Sequence, residues 1–165
     1  MTKVGLISDT HGFLHPRVEH HFKDCDEIWH AGDIGNISLT DKLATFKPLR
    51  AVYGNIDGAE IRKQFPKDLR FNLEGVDVWI THIGGYPNRY DRRVIPEILQ
   101  NPPQLFICGH SHILKAIPDK KLGLLHLNPG AAGKHGFHKV LTLMRFELEQ
   151  GLVKNLEVIE LEKRV

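Results

Sequence analysis

Cysteine is nearly absent from this chain of 165 residues: Cys25 and Cys108 are the only two, and neither belongs to a C-x-x-C pair. That excludes a disulfide scaffold and weakens any zinc-finger or dithiol reading. Both thiols read as small packing residues, Cys108 at the end of the apolar run Leu105-Phe106-Ile107. Long apolar runs are missing as well. No stretch approaches the roughly 18–20 residues of a membrane span. The apolar stretch near Met1 is too short for a signal h-region and ends at Asp9, so the expected location is cytoplasmic and no membrane partner is expected. Charge of one sign is scarce: the formal net charge is +2, too weak for a broad nucleic-acid footprint. Repeats and low-complexity tracts are absent, and the length suits a single domain over residues 1–165.

What is present is an ordinary globular composition, 41% hydrophobic and 25% charged, with a surplus of eleven histidines that needs a reason. Short apolar runs at Val4 to Ile7, Glu27 to Trp29, Leu49 to Tyr53, Val76 to Thr81 and Leu105 to Cys108 read as strands covered on both faces. Helical segments fall between them. One opens at Pro16, a first-turn proline. A second spans Ser38 to Phe46, with Leu39, Leu43 and Phe46 on one face. A third lies within Tyr90 to Gln100, where Pro96 must be near its first turn. Alternation of this kind indicates an α/β layered fold. Lys139 to Glu149 and Leu152 to Leu161, joined at Gln150-Gly151, read as an antiparallel hairpin that closes a sheet and carries structure rather than chemistry.

Each of the five buried strands is followed by a side chain able to bind metal. Ser8-Asp9-Thr10-His11 follows the first, His30-Ala31-Gly32-Asp33 the second and Gly54-Asn55-Ile56-Asp57 the third. Thr81-His82 and Gly109-His110-Ser111-His112 follow the fourth and fifth. Ligand sites in α/β sheets lie beyond the carboxyl ends of strands, so Asp9, His11, Asp33, Asn55, His82, His110 and His112 converge in this reading. Nitrogen and oxygen donors without thiolate suit manganese, iron or zinc. Seven donors exceed the needs of one tetrahedral ion; two ions sharing a carboxylate would use them. In extended segments residues i and i+2 point the same way, so Asp9 with His11, and His110 with His112, would each address one centre.

Single motifs have plainer readings. Asp57 has Glu60 three residues on, the spacing of a capping box, and reads as a cap or a support to the site. His30 reads equally as support or core packing, and His15 as surface. Arg89, Arg92 and Arg93 read as a solvated helix face, with phosphate contact as the sharper alternative. For His20, His21, His126, His135 and His138 no partner spacing is evident.

The ordered set Asp9-x-His11, Gly32-Asp33, Gly54-Asn55-x-Asp57, His82 and Gly109-His110-Ser111-His112 resembles the calcineurin-like metallophosphoesterase superfamily, and its small bacterial and archaeal phosphodiesterase branch in particular. Asn128-Pro129-Gly130 resembles that branch's turn after a late strand. The resemblance implies a four-layer sandwich of two facing mixed β-sheets flanked by helices. It implies that Asp9, His11 and His112 hold one divalent ion, that Asp33 bridges, and that Asn55, His82 and His110 complete the second. Asp33, Asn55 and His82 are then the expected catalytic residues. Manganese is the expected metal, with iron, nickel and zinc as alternatives.

The implied activity is hydrolysis of a small phosphate ester, most simply a phosphodiester, by attack of a hydroxide held by the ions. Two carboxylates against two divalent ions leave a site with about two positive charges, which attracts an anionic ester. Two positions depart from the family pattern. Ile56 stands where many members have a leaving-group histidine, and Gly84 where the branch often has a further histidine two residues after the one matching His82. A phosphomonoesterase and a non-catalytic scaffold module of the same fold are the alternatives. A homodimer is compatible with the sequence.

Overall fold

The computed structural model describes residues 1–164. Its elements in order are β1 (Thr2–Ile7), α1 (Val18–Phe22), β2 (Glu27–His30), α2 (Ile37–Phe46), β3 (Leu49–Ala51), α3 (Ala59–Gln64), β4 (Asp68–Leu73) and β5 (Val76–Thr81). There follow β6 (Gly85–Tyr86), β7 (Arg89–Tyr90), α4 (Ile95–Gln100), β8 (Leu105–Ile107), β9 (Lys115–Asp119), β10 (Leu124–Asn128), β11 (Val140–Glu149) and β12 (Leu152–Lys163). Two five-stranded mixed sheets carry the fold, in the orders β12-β11-β1-β2-β3 and β4-β5-β8-β10-β9. β1, β2 and β3 run parallel in the first, and β5, β8 and β10 in the second. Strands covered on both faces read as near-continuous apolar runs because each face has its own core.

Three clusters of buried side chains account for four layers. Val4, Leu6, Trp29, Met144 and Phe146 of the first sheet meet Val78, Ile80, Leu105 and Ile107 of the second. On the outer face of the first sheet Ile7, Ile28, Leu141 and Leu143 pack against Phe22 of α1, Leu39 and Leu43 of α2, and Ile61 of α3. The outer face of the second sheet covers Trp79 and Phe106 with Val94 and Ile98 beside and within α4. The helix–sheet–sheet–helix sandwich that the family resemblance implies is therefore present.

The expected elements shift at their ends. The helix after Pro16 begins at Val18, and α2 begins one residue early, capped by the Asn36 side chain, which accepts from the Leu39 N–H. The third helix lies within its expected span, at Ile95–Gln100 with Pro96 in its first turn, and Leu99 on it is exposed. Arg89, Arg92 and Arg93 are not on a helix at all. Arg93 is held by the Asp68 carboxylate at 3.0 and 3.1 Å, and it donates to Thr81 Oγ1. The closing hairpin is as expected, and Gln150 and Gly151 both adopt positive φ, as a type I′ turn requires.

Two wholly buried imidazoles set an acid limit on stability. Burial pushes both His30 and His126 down to about 4. Unfolded, each titrates near 6.5. Between those values only the unfolded chain takes up the proton, so stability is complete above pH 6.5 and falls as pH drops toward 4. Chemical denaturation in chelator should show the midpoint sliding downward across that window, and less steeply for His126→Leu. A flat midpoint would contradict this.

Candidate metal centre

The carboxyl ends of β1, β2 and β3 in one sheet, and of β5 and β8 in the other, meet at one cleft, and every one of the seven donor residues lies there. Asp9, His11 and His112 form one cluster of donor atoms within 4.8 Å of one another; Asp33, His82 and His110 form a second. Asn55 joins the second cluster through its Oδ1, 3.0 Å from His110 Nδ1. The clusters touch at Asp33, whose Oδ2 is 3.4 Å from His11 Nε2 and 3.2 Å from His82 Nε2. Asp9 Oδ1 faces His112 Nε2 at 3.2 Å and His82 Nε2 at 3.8 Å.

Convergence is achieved by tight turns rather than by extended strand ends. Asp9, His11, Asp33, His110 and His112 all have φ between 46° and 72°. That left-handed region is uncommon outside glycine and costs roughly 1 kcal/mol or more per residue. Five such residues in one place are over-determined by their surroundings. The i, i+2 expectation holds for Asp9 and His11 but not for His110 and His112, which the turn splits between the two clusters.

Each carboxylate has one oxygen engaged by the protein and one free. Asp9 Oδ2 accepts from Ser8 Oγ at 2.7 Å and from the His110 N–H at 3.1 Å, while Oδ1 is buried with no hydrogen bond. Asp33 Oδ1 accepts the Ile56 N–H at 3.1 Å, leaving Oδ2 toward the imidazoles. His82 Nδ1–H donates to the Ala31 carbonyl at 2.7 Å, which turns the unprotonated Nε2 inward. Nε2 of His11 and of His82 are likewise buried without a hydrogen-bond partner. Buried orphan acceptors facing one another are costly, and a cation between them is the group that would satisfy them. These residues therefore fit divalent metal.

The protonation equilibria agree. Burial would lower His82, yet contact with Asp33 and the charges of Asp9 and Asp33 hold it above its usual value. Asp33 is the mirror case: burial raises it, but His82 and the Ile56 N–H bring it below the usual carboxylate range. His11 is lowered by burial, against the pull of Asp33 and Asp9.

Supporting residues tie the five turns together. Asp57 is no helix cap: α3 begins after Gly58 without a side-chain cap. Its carboxylate instead accepts the N–H groups of Ile34 at 3.1 Å, Gly35 at 2.9 Å and Gly54 at 2.8 Å, joining the Asp33 turn to the Asn55 turn. His30 accepts the Gly32 N–H on Nδ1 at 3.1 Å and reaches Thr10 Oγ1 through Nε2 at 3.0 Å. Its role is support beneath the centre. Asn128 donates to the Gly109 carbonyl and to Ser111 Oγ, fixing the turn that carries His110 and His112. His15 is buried rather than on the surface, with Nε2 3.3 Å from Glu162.

Glycine at 54 is steric necessity. A Cβ there would run into the carboxylate and backbone nitrogen of Asp33. Gly54→Ala is expected to cost about 1–3 kcal/mol, as overpacking does, and to weaken metal binding in parallel. Denaturant titration with and without manganese measures both; unchanged values would contradict the geometry.

Two histidines with no sequence signal also reach the site. His135 stacks on His11, ring centroids 4.7 Å apart at 24°, and His138 sits edge-on to His112 at 5.0 Å. Both lie on the loop after β10, which the Ala132 and Gly133 N–H groups dock onto the Ser8 and Asp9 carbonyls. The hairpin does contribute to the cleft after all, through Val140, Thr142 and Glu160.

Comparison with known proteins gives the fold and the family. A chain named "Probable metallophosphoesterase" from Mycoplasma pneumoniae is 30% identical, over 94% of this chain and 96% of its own. A solved structure described as a novel archaeal phosphodiesterase superposes with a TM-score of 0.77 at 21% identity, covering 96% of this chain and 99% of that one. Vps29 from Entamoeba histolytica, solved in complex with Zn2+, gives 0.66 at 20% identity over 97% and 99%. The model of the calcineurin-like phosphoesterase superfamily domain matches residues 2–151, so this chain belongs to that family.

Proposed function

We propose that the chain is a two-metal phosphodiesterase. The observation that carries this reading is Asp33 Oδ2, placed between His11 Nε2 and His82 Nε2 at 3.4 and 3.2 Å, with three buried acceptors around it lacking partners. Asp9, His11 and His112 would hold one ion, and Asp33, Asn55, His82 and His110 the other, with Asp33 shared. When bound, such a pair supplies positive charge to polarise phosphoryl oxygens and to acidify an attacking water. Manganese is the proposed metal, since the set has no thiolate and mixes carboxylate, amide and imidazole.

The chain's own residues do the positioning. The Ala31 carbonyl fixes the tautomer of His82, and Asp57 fixes the spacing of the Asp33 and Asn55 turns. Asn55, held by His110 and open to the cleft, orients a phosphate oxygen. Among the described residues no helix is long and apolar enough to cross a membrane; the proposed setting is cytoplasmic, with a small phosphate ester as substrate.

The test is hydrolysis of bis(p-nitrophenyl) phosphate with manganese, and with chelator as control. Metal-dependent turnover that exceeds the rate on p-nitrophenyl phosphate supports the reading. Turnover of the monoester alone would make the chain a phosphomonoesterase, and inertness toward both would favour a non-catalytic module.

A further inference from the structure

Among the described residues nine large hydrophobic side chains are exposed, and four of them stand around one cleft: Ile56 at 46%, Ile113 at 57%, Leu114 at 40% and Phe137 wholly exposed. They come from separate segments, after β3, after the His110-Ser111-His112 turn, and from the loop beyond β10. Scattered exposed hydrophobics are normal, but a convergent group marks a binding surface. This cleft, of about 810 Å³, is also the one onto which His11, Asp33, Asn55, His110 and His112 open.

A phosphoryl group would fill a small part of that space and needs charge, not methyl groups. Small-molecule sites run to roughly 300–1,000 Å³, with apolar walls and a few placed polar groups. Away from the donor residues the walls carry one lysine, Lys139, and one glutamate, Glu160, so they add no net charge to recruit a polyanion. An occupant that satisfies both ends joins a phosphate to a hydrophobic body. We propose that Ile56, Ile113, Leu114 and Phe137 form a subsite for an apolar, ring-bearing ester group, and that the substrate class is accordingly a phosphate ester with a hydrophobic substituent rather than a sugar or polyol ester. The inference rests on the phosphoesterase reading above.

Methylphosphonate and phenylphosphonate share a charged head and differ in apolar body. Calorimetry on the manganese-loaded protein should find the phenyl compound roughly tenfold tighter, as for burial of part of a ring. Phe137→Ala combined with Ile113→Ser should bring the two within about twofold. Both side chains are exposed, so the fold does not depend on them. Equal affinities in the unmodified protein, or a phenyl preference that survives the substitutions, would overturn the subsite while leaving the phosphoesterase reading intact. Failure of both phosphonates to bind would overturn the subsite and the phosphoesterase reading together. Equal affinities with a concentration-dependent dimer that the substitutions dissolve would reassign the rim to self-association.

Discussion

Asp33→Asn is expected to lower the manganese stoichiometry from two per chain to one and to slow phosphodiester hydrolysis by roughly 10²–10³-fold or more. The expectation follows from Oδ2, the one carboxylate oxygen within 3.4 Å of imidazole nitrogens from both donor clusters. Asparagine keeps the shape and can still accept the Ile56 N–H on its amide oxygen. What it removes is the charge shared between the two positions. The loss should therefore be one of metal and rate, with folding little changed. Asp9 is a poorer bridge, because its free oxygen Oδ1 lies 3.8 Å from His82 Nε2 where Asp33 Oδ2 lies 3.2 Å away. Metal analysis after gel filtration, run beside the kinetics, separates the cases. Two manganese ions retained at an unchanged rate would contradict the shared position.

The second large effect concerns the leaving group. Ile56 lines the cleft at the position where the family resemblance leads one to expect a proton-donating histidine, and its side chain has no proton to give. General acid catalysis is worth about 10²–10⁴-fold, so that factor should be missing for esters whose alkoxide leaves poorly. Rates should therefore fall steeply from aryl to alkyl phosphodiesters at saturating manganese. Ile56→His should raise the alkyl rates with a smaller change in the aryl ones. The position is 46% exposed, so an imidazole can be accommodated. Its backbone N–H bond to Asp33 survives the change. Equal aryl and alkyl rates in the unmodified chain would show that another group donates the proton.

How much of this was legible in the sequence depends on the residue. The buried strands announce themselves because both faces are covered, which leaves unbroken runs such as Leu105 to Ile107. The donors are legible because polar residues directly after such runs have few other reasons to be there. Elements with mixed burial were not: β4 is half-buried along its length and β9 alternates, so neither forms a run. Helix α3 is short, and of the two readings of Asp57 the support holds and the cap does not, since its carboxylate accepts the N–H of Gly54 in its own turn and those of Ile34 and Gly35 in the Asp33 turn. The partition of His110 and His112 between clusters depends on left-handed turns that spacing alone does not reveal. His135 and His138 were invisible for a related reason. They arrive on a loop positioned by backbone hydrogen bonds to β1's turn, a tertiary fact with no local signature.

The central claim is that two cations lie side by side on Asp33. Anomalous diffraction from crystals grown with manganese tests it most directly. The expected map has two peaks roughly 3.5–4 Å apart, one against Asp9, His11 and His112, the other against Asn55, His82 and His110, with Asp33 touching both. A single peak, or none near Asp33 at saturating manganese, would contradict the account.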